Sequence, residues 1–174
     1  MRRRDLLVGA GSLAALGGGA AVAFDLVGSD RETIEPIELE TLEAPGSEAG
    51  TATVPERGQV TFVEIFATWC GICQDMMPDL AAAHAAVGDD VQFLSVTNEP
   101  LGSTVTREDV AAWWERYDGA WTVAADPELE LTRALDSSGV PYKFVLDERN
   151  RVVWRNQGRS NAEEIESRIR DALE

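Results

Sequence analysis

Two cysteines three residues apart, Cys70 and Cys73, have the clearest capacity for chemistry in this sequence. At that spacing they lie on one face of a first helical turn, close enough to form a small disulfide ring. Free N–H groups and a partial positive charge at a helix N-terminus stabilise a thiolate, which lowers the pKa of a cysteine placed there. The pattern predicts that Cys70 is the attacking thiolate and that Cys73, one turn further in, is the resolving thiol.

The residues on either side of the pair predict a strand that leads into a helix. Residues 60–66 form a β-branched and aromatic run that is typical of a buried strand. After the pair, four apolar side chains follow the spacing of one helix face: Met76, Met77, Leu80 and Ala83. We therefore expect the cysteines to lie where a buried strand passes into the N-terminus of a helix.

Glu64 is an acidic residue inside this predicted buried strand. A buried carboxylate without a partner is costly, and burial raises its pKa. Such a group suits a proton acceptor for Cys73 during disulfide exchange. The alternative is an acid that is exposed at an edge of the sheet.

The charge of the chain is strongly negative. Among its 174 residues, 31 are acidic and 15 are basic, the formal net charge is −16, and Lys143 is the only lysine. Self-repulsion of this kind opposes compaction at low salt and is used by halophilic proteins. We interpret the surface as salt-adapted; an acidic face for one basic partner is the alternative, but the acids are spread along the whole chain. Because there is no basic patch, nucleic-acid binding is disfavoured.

Few residues of the chain could bind a metal ion. Two cysteines and the single histidine, His84, cannot complete the four protein ligands of a structural zinc site. His84 lies among alanines on the predicted helix, so we expect it to pack against the core or to face solvent. We expect no metal site and no cofactor beyond the Cys70–Cys73 redox pair.

Residues 69–73 match the W-C-x-x-C motif of the thioredoxin superfamily. Pro78, five residues past the second cysteine, matches the helix-kinking proline of that family, and Glu64 falls where thioredoxins have a buried acid beneath the active site. The Val140–Pro141 step fits the family's cis-proline loop, which faces the disulfide and pairs with the substrate backbone. On these residues the chain resembles a thioredoxin-like thiol–disulfide oxidoreductase.

The resemblance implies an α/β, thioredoxin-like fold with a central mixed β-sheet flanked by helices. It implies four catalytic residues: Cys70, Cys73, Glu64 and Pro141. It also implies four residues that contact substrate: Trp69, Gly71, Ile72 and Val140. Ordinary packing is the alternative for Trp69. The Gly-Ile dipeptide between the cysteines departs from the Gly-Pro of thioredoxins, which leaves the redox potential open.

The N-terminal residues 1–28 predict a targeting segment rather than part of the fold. Three arginines at residues 2–4, followed by a mildly hydrophobic stretch rich in glycine and alanine, resemble a twin-arginine export signal. The Ala-Val-Ala of residues 21–23 offers a cleavage site, and residues 6–24 would be long enough to span a bilayer if retained. We expect export, as a secreted or membrane-anchored protein, to a compartment where disulfides persist.

Residues 29–57 predict an acidic linker and a short hairpin, and residues 58–174 predict the thioredoxin-like domain. Pro141 lies 68 residues after Cys73, which leaves room for an inserted strand and helix. Asp126 and Pro127 predict the N-cap and first position of that helix. The hairpin and the insertion resemble exported reductases of the cytochrome-maturation type. This resemblance implies partners outside the cytoplasm: disulfide-containing or dithiol proteins, including apocytochrome c, and a membrane electron donor.

Other functions are possible for a cysteine pair on this fold. A structural disulfide is one, but a ring this short constrains little of the unfolded chain. A peroxidase of the peroxiredoxin type would need a proline-threonine motif that is absent here. A copper chaperone would need a wider cysteine spacing and a histidine near the C-terminal hairpin. A non-catalytic binding module would use the surface beside Trp69 and would keep its activity without Cys73.

Overall fold

Seven strands form one mixed sheet in the computed structural model, which describes residues 32–102 and 104–174. The expected export signal at residues 1–28 lies outside the described residues. The strands are β1 (Ile37–Thr41), β2 (Gly50–Val54), β3 (Val60–Phe66), β4 (Val91–Thr97), β5 (Thr122–Ala125), β6 (Tyr142–Leu146) and β7 (Val152–Gln157). The helices are α1 (Gly71–Val87), α2 (Arg107–Arg116), α3 (Glu130–Ala134) and α4 (Ala162–Leu173). Across this described part of the chain, every helix is too short or too polar to span a bilayer.

Strand β3, which leads to the cysteines, lies inside the sheet, whose order is β2-β1-β5-β4-β3-β6-β7. It pairs in parallel with β4 and antiparallel with β6, and all of its residues are buried. Successive side chains of a strand point to opposite faces. Phe62 and Phe66 therefore pack in the layer with α1 and α4, and Val63 and Ile65 pack in the layer with α3. The predicted α/β architecture, a mixed sheet with helices on its faces, is confirmed.

Strands β1 and β2 form the N-terminal hairpin that the sequence predicts, with Ile37 opposite Val54. Strand β1 also pairs with β5, so the hairpin extends the sheet on that side. Ile34, within the segment that was expected to be an acidic linker, is buried, and its N–H donates to the Asn150 carbonyl. Packing against the sheet therefore begins before the hairpin.

The inserted strand and helix are β5 and α3, as predicted, but the helix begins later than expected. It starts at Glu130, and Leu129 before it has a left-handed backbone conformation with φ 59°. The Asp126 carboxylate nevertheless accepts the N–H of Glu130 at 2.7 Å and the N–H of Thr132 at 2.8 Å. The prediction that Pro127 is the first helical residue is wrong because a turn separates Asp126 from the helix. The Asp126 carboxylate caps the helix from across that turn.

Candidate active site

Cys70 is the N-cap residue of α1, and the helix begins at Gly71. The Cys73 N–H donates to the Cys70 Sγ at 3.1 Å, and the two cysteines form a disulfide with their Cα atoms 5.3 Å apart. Cys73 is fully buried, whereas 5% of the surface of Cys70 is exposed. The predicted position of the pair at a strand-to-helix junction is confirmed, and Cys70 is the cysteine that an incoming group can reach.

Two residues next to the cysteines in the chain have exposed apolar side chains. Trp69 is 72% exposed and Ile72 is 45% exposed. Because a tryptophan at this exposure buries little surface within the fold, the alternative that Trp69 is ordinary packing is wrong. Gly71 between them is exposed, and a Cβ atom at that position would meet no neighbour within 4 Å. The three residues are thus exposed and adjacent in the chain to Cys70 or Cys73, and their contact with substrate stays a prediction.

The loop before β6 contains the cis Val140–Pro141 peptide bond that the resemblance predicts. Val140 packs against the core cluster that includes both cysteines. The Pro141 carbonyl accepts the Gly158 N–H at 2.9 Å, which joins this loop to the residue after β7. The structure therefore places Val140 on the same cluster as the pair. The roles of Val140 and Pro141 toward substrate stay predictions.

Glu64 lies between Phe62 and Phe66 on the face of β3 that α1 covers, and it is 1% exposed. The Ser95 hydroxyl donates to its Oε2 at 2.7 Å, and its Oε1 is buried without a hydrogen-bond partner. Burial raises the pKa of Glu64 to about 7, although the Ser95 hydrogen bond and the Lys143 charge act in the opposite direction. The alternative of an edge-exposed acid is wrong. A carboxyl group with a pKa near neutrality can accept and release a proton.

Glu64→Gln should change how the stability of the protein depends on pH. The folded-state pKa of about 7 lies above the ordinary value of 4.5, so the stability present below pH 4.5 is lost as the pH rises through 7. Between pH 5 and pH 8 the wild-type protein should therefore lose roughly 2 kcal/mol more than the variant. Denaturant unfolding of both proteins at the two pH values measures this difference. Equal losses would contradict an ionisable Glu64 in the core.

Lys143 is part of this site but was not predicted from the sequence. It stands directly opposite Glu64 across the β3–β6 pairing and is fully buried. The signal that could have identified it is its position: the only lysine of the chain interrupts the apolar run of residues 142–146. Its alignment with Glu64, however, depends on the register between two strands that are far apart in the sequence.

A second buried acid, Glu99, fixes the loop before Cys70. Its Oε2 accepts the Thr68 N–H at 2.7 Å and its Oε1 accepts the Thr68 hydroxyl at 2.9 Å. Its Oε2 also accepts the Thr97 hydroxyl at 3.1 Å. The carboxylate thereby holds the backbone immediately before Trp69. Nothing in the sequence distinguishes Glu99 from the many other acids of the chain.

His84 packs against aromatic side chains rather than facing the cysteines. Its ring centroid lies 5.1 Å from that of Phe93 and 5.8 Å from that of Trp121. The predicted packing role is confirmed. Within residues 32–102 and 104–174, no three His, Cys, Asp or Glu side chains converge in a group that could hold a metal ion.

Known proteins share this sequence pattern and fold. The Redoxin family model matches residues 30–173. The thiol:disulfide interchange protein TxlA homolog of Synechocystis is 45% identical over 49 residues, and the match covers 27% of this chain and 27% of that relative. This chain thus aligns with about a quarter of that curated relative.

Solved structures resemble the fold over most of its length. StoA from Bacillus subtilis is 18% identical with a TM-score of 0.66, over 79% of this chain and 98% of that one. The exposed lipoprotein thioredoxin Etrx1 from Streptococcus pneumoniae is 21% identical with a TM-score of 0.64, over 79% of this chain and 99% of that one. The family match shows that the chain belongs to the Redoxin family, and the solved structures show that it has the thioredoxin-like fold.

Proposed function

We propose that this protein reduces or exchanges disulfides in extracytoplasmic proteins through the Cys70–Cys73 pair. The observation that carries the proposal is the disulfide at the start of α1, where Cys70 reaches the surface and Cys73 does not. The exposed side chains of Trp69 and Ile72 beside it offer an apolar surface to a protein substrate. In this proposal Gly71 and Val140 also contact the substrate segment, and Pro141 faces the pair.

The exchange has two displacement steps. In the first, the Cys70 thiolate attacks one sulfur of the substrate disulfide; a mixed disulfide forms, and the other substrate sulfur leaves as a thiolate. In the second, Glu64 accepts the proton of Cys73, and the Cys73 thiolate attacks the Cys70 Sγ. The Cys70–Cys73 bond forms as the bond from Cys70 to the substrate breaks. The substrate disulfide gains two electrons, which the enzyme dithiol loses, and the reverse sequence oxidises a substrate dithiol.

Location and partners are part of the same proposal. The twin-arginine-like residues 2–4 and the apolar stretch after them support export, either as a secreted protein or with a membrane tether. The solved relative Etrx1 is described as an exposed lipoprotein thioredoxin. Partners of the matching chemistry are disulfide-containing or dithiol proteins, with apocytochrome c and a membrane electron donor among them. Fractionation of cells that express the full chain tests the location.

Limited alkylation of the reduced protein near neutral pH should modify Cys70 first. Cys70 caps α1 and is partly exposed, whereas Cys73 is fully buried, and thiolate character and access both increase reactivity. Peptide mapping by mass spectrometry after treatment with less than one equivalent of iodoacetamide measures the order. The same treatment of the unfolded protein is the control, and it should modify the two cysteines to similar extents. Earlier modification of Cys73 in the folded protein would contradict the assigned roles.

A further inference from the structure

A row of buried polar side chains crosses the sheet beneath α1. Lys143 on β6 stands directly opposite Glu64 on β3, which stands directly opposite Ser95 on β4. All three are buried, in a layer that otherwise consists largely of apolar side chains. The Ser95 hydroxyl donates to Glu64 and accepts the Trp121 Nε1–H at 3.1 Å. The row therefore places one cation and one carboxyl group side by side in the apolar interior.

The ammonium group of Lys143 lies between the sheet and the helix that carries the cysteines. Its Nζ donates to the Gly158 carbonyl and lies 3.9 Å from the Met76 Sδ. Met76 follows Cys73 by about one turn of α1. Burial lowers the pKa of Lys143 to about 8. The ammonium group of Lys143 therefore lies close to the N-terminal part of α1, about one turn beyond Cys73.

Packing alone does not account for a lysine at this position. Burying an ammonium group is costly, and an apolar side chain of similar volume would fill the same space without that cost. The acids whose charge acts on Lys143 are Glu64 from β3 and Glu164 from α4. In return, Lys143 is the cation whose charge acts on Glu64. The other titratable groups of this layer are the thiols of Cys70 and Cys73 in the reduced protein, His84 of α1, which packs against Phe93 and Trp121, and Tyr117 at its margin.

We propose that Lys143 is a positioning residue for the resolving step: its charge favours the ionised form of Glu64, which accepts the proton of Cys73. The inference rests on the proposed exchange function. The proton passes from the Cys73 thiol to the Glu64 carboxylate, and the Cys73 thiolate then displaces the substrate sulfur from Cys70. Lys143 forms and breaks no bond and acts through Glu64.

With the symmetric disulfide of thionitrobenzoate as substrate, the two steps of the exchange can be measured separately. Each step releases one coloured thionitrobenzoate anion. Attack by Cys70 on the reagent is bimolecular, and attack by Cys73 on the resulting mixed disulfide is unimolecular. Lys143→Met should raise the pH midpoint of the second phase and slow that phase roughly fivefold at pH 7, because removing a nearby cation raises the pKa of a carboxyl group by about one unit. The rate of the first phase should stay within about twofold.

Two further variants separate an electrostatic role from a structural one. Lys143→Arg retains the charge and should keep the wild-type pH profile of the second phase. In a Glu64→Gln background, Lys143→Met should cause no additional slowing, because residues that act through each other are not additive. An unmoved midpoint in folded Lys143→Met, or equal slowing in both backgrounds, would overturn the inference and leave the exchange function intact. A wild-type protein without either phase would instead overturn the proposed function.

A second measurement requires no change at position 143. Because the chain contains one lysine, protein made with isotopically labelled lysine gives a single side-chain ammonium resonance. In the reduced protein, Glu64→Gln should lower the pKa of Lys143, since it removes the opposite charge. A resonance that titrates identically in the wild type and in Glu64→Gln would overturn the inference, even if Lys143→Met did not fold.

Discussion

Cys73→Ser should accumulate a covalent complex with disulfide-containing proteins, whereas Cys70→Ser should form none. Without Cys73, the mixed disulfide on Cys70 has no intramolecular route to resolution and persists until an external thiol attacks it. Without Cys70, the remaining sulfur is fully buried. Catalysed reduction of insulin disulfides should fall by roughly three orders of magnitude in both variants. Cys70→Ser lacks the accessible nucleophile, and Cys73→Ser lacks the intramolecular second attack, which gains its speed from proximity.

Electrophoresis without reductant, followed by mass mapping of the linked peptides, detects the complex. Cys70→Ser is the matched control, since it also replaces one cysteine sulfur by oxygen and leaves one thiol. Dithiothreitol should release the trapped partner from Cys73→Ser. A non-catalytic binding module would behave differently: both variants would hold the same partners, and neither would hold them through a disulfide. A complex linked through Cys73 would contradict the order of attack.

The melting temperature should rise strongly with salt. The net charge of −16 opposes compaction through self-repulsion that molar salt screens. Salt also weakens exposed ion pairs such as Arg107–Glu40, in which Nε and Oε1 are 2.6 Å apart, but such pairs contribute about 0–1 kcal/mol each. Repulsion among the excess acids should dominate, so we expect a gain of roughly 10 °C from low salt to molar KCl.

Calorimetry or circular dichroism over a series of KCl concentrations measures this gain. Sucrose at matched osmolarity is the control for effects of solvent exclusion, and it should reproduce only a small part of the increase. A midpoint that does not depend on salt would contradict a salt-adapted surface and would favour an acidic face for a basic partner instead.

Local patterns predict much of the fold and the core of the site. The strand before Cys70 and the helix after it follow from apolar spacing within a few residues of each other. The cis bond at Val140–Pro141 follows from resemblance to a family motif, and the structure confirms that geometry. These features depend on residues that are close in the sequence or on a motif of fixed spacing, so they can be predicted without coordinates.

Contacts between distant segments were not predictable in the same way. The Thr68 N–H donates to Glu99, which lies 31 residues further along the chain. Lys143 lies opposite Glu64 only because β3 and β6 pair in one particular register. A shift of that register by one residue would turn Lys143 to the other face of the sheet. The start of α3 shows the same limit, because Asp126 caps the helix from beyond a turn that local rules do not anticipate.

Redox equilibration of the wild-type protein in glutathione buffers tests the central claim most directly. The protein should pass reversibly between a disulfide form and a dithiol form, and the mass change should be confined to the peptide that contains Cys70 and Cys73. The reduced form should then transfer its electrons to a disulfide-containing protein, and it should itself become oxidised in equal amount. A Cys70–Cys73 bond that stays closed across all buffers, with protein disulfides left unreduced, would contradict the account and identify the pair as a structural disulfide.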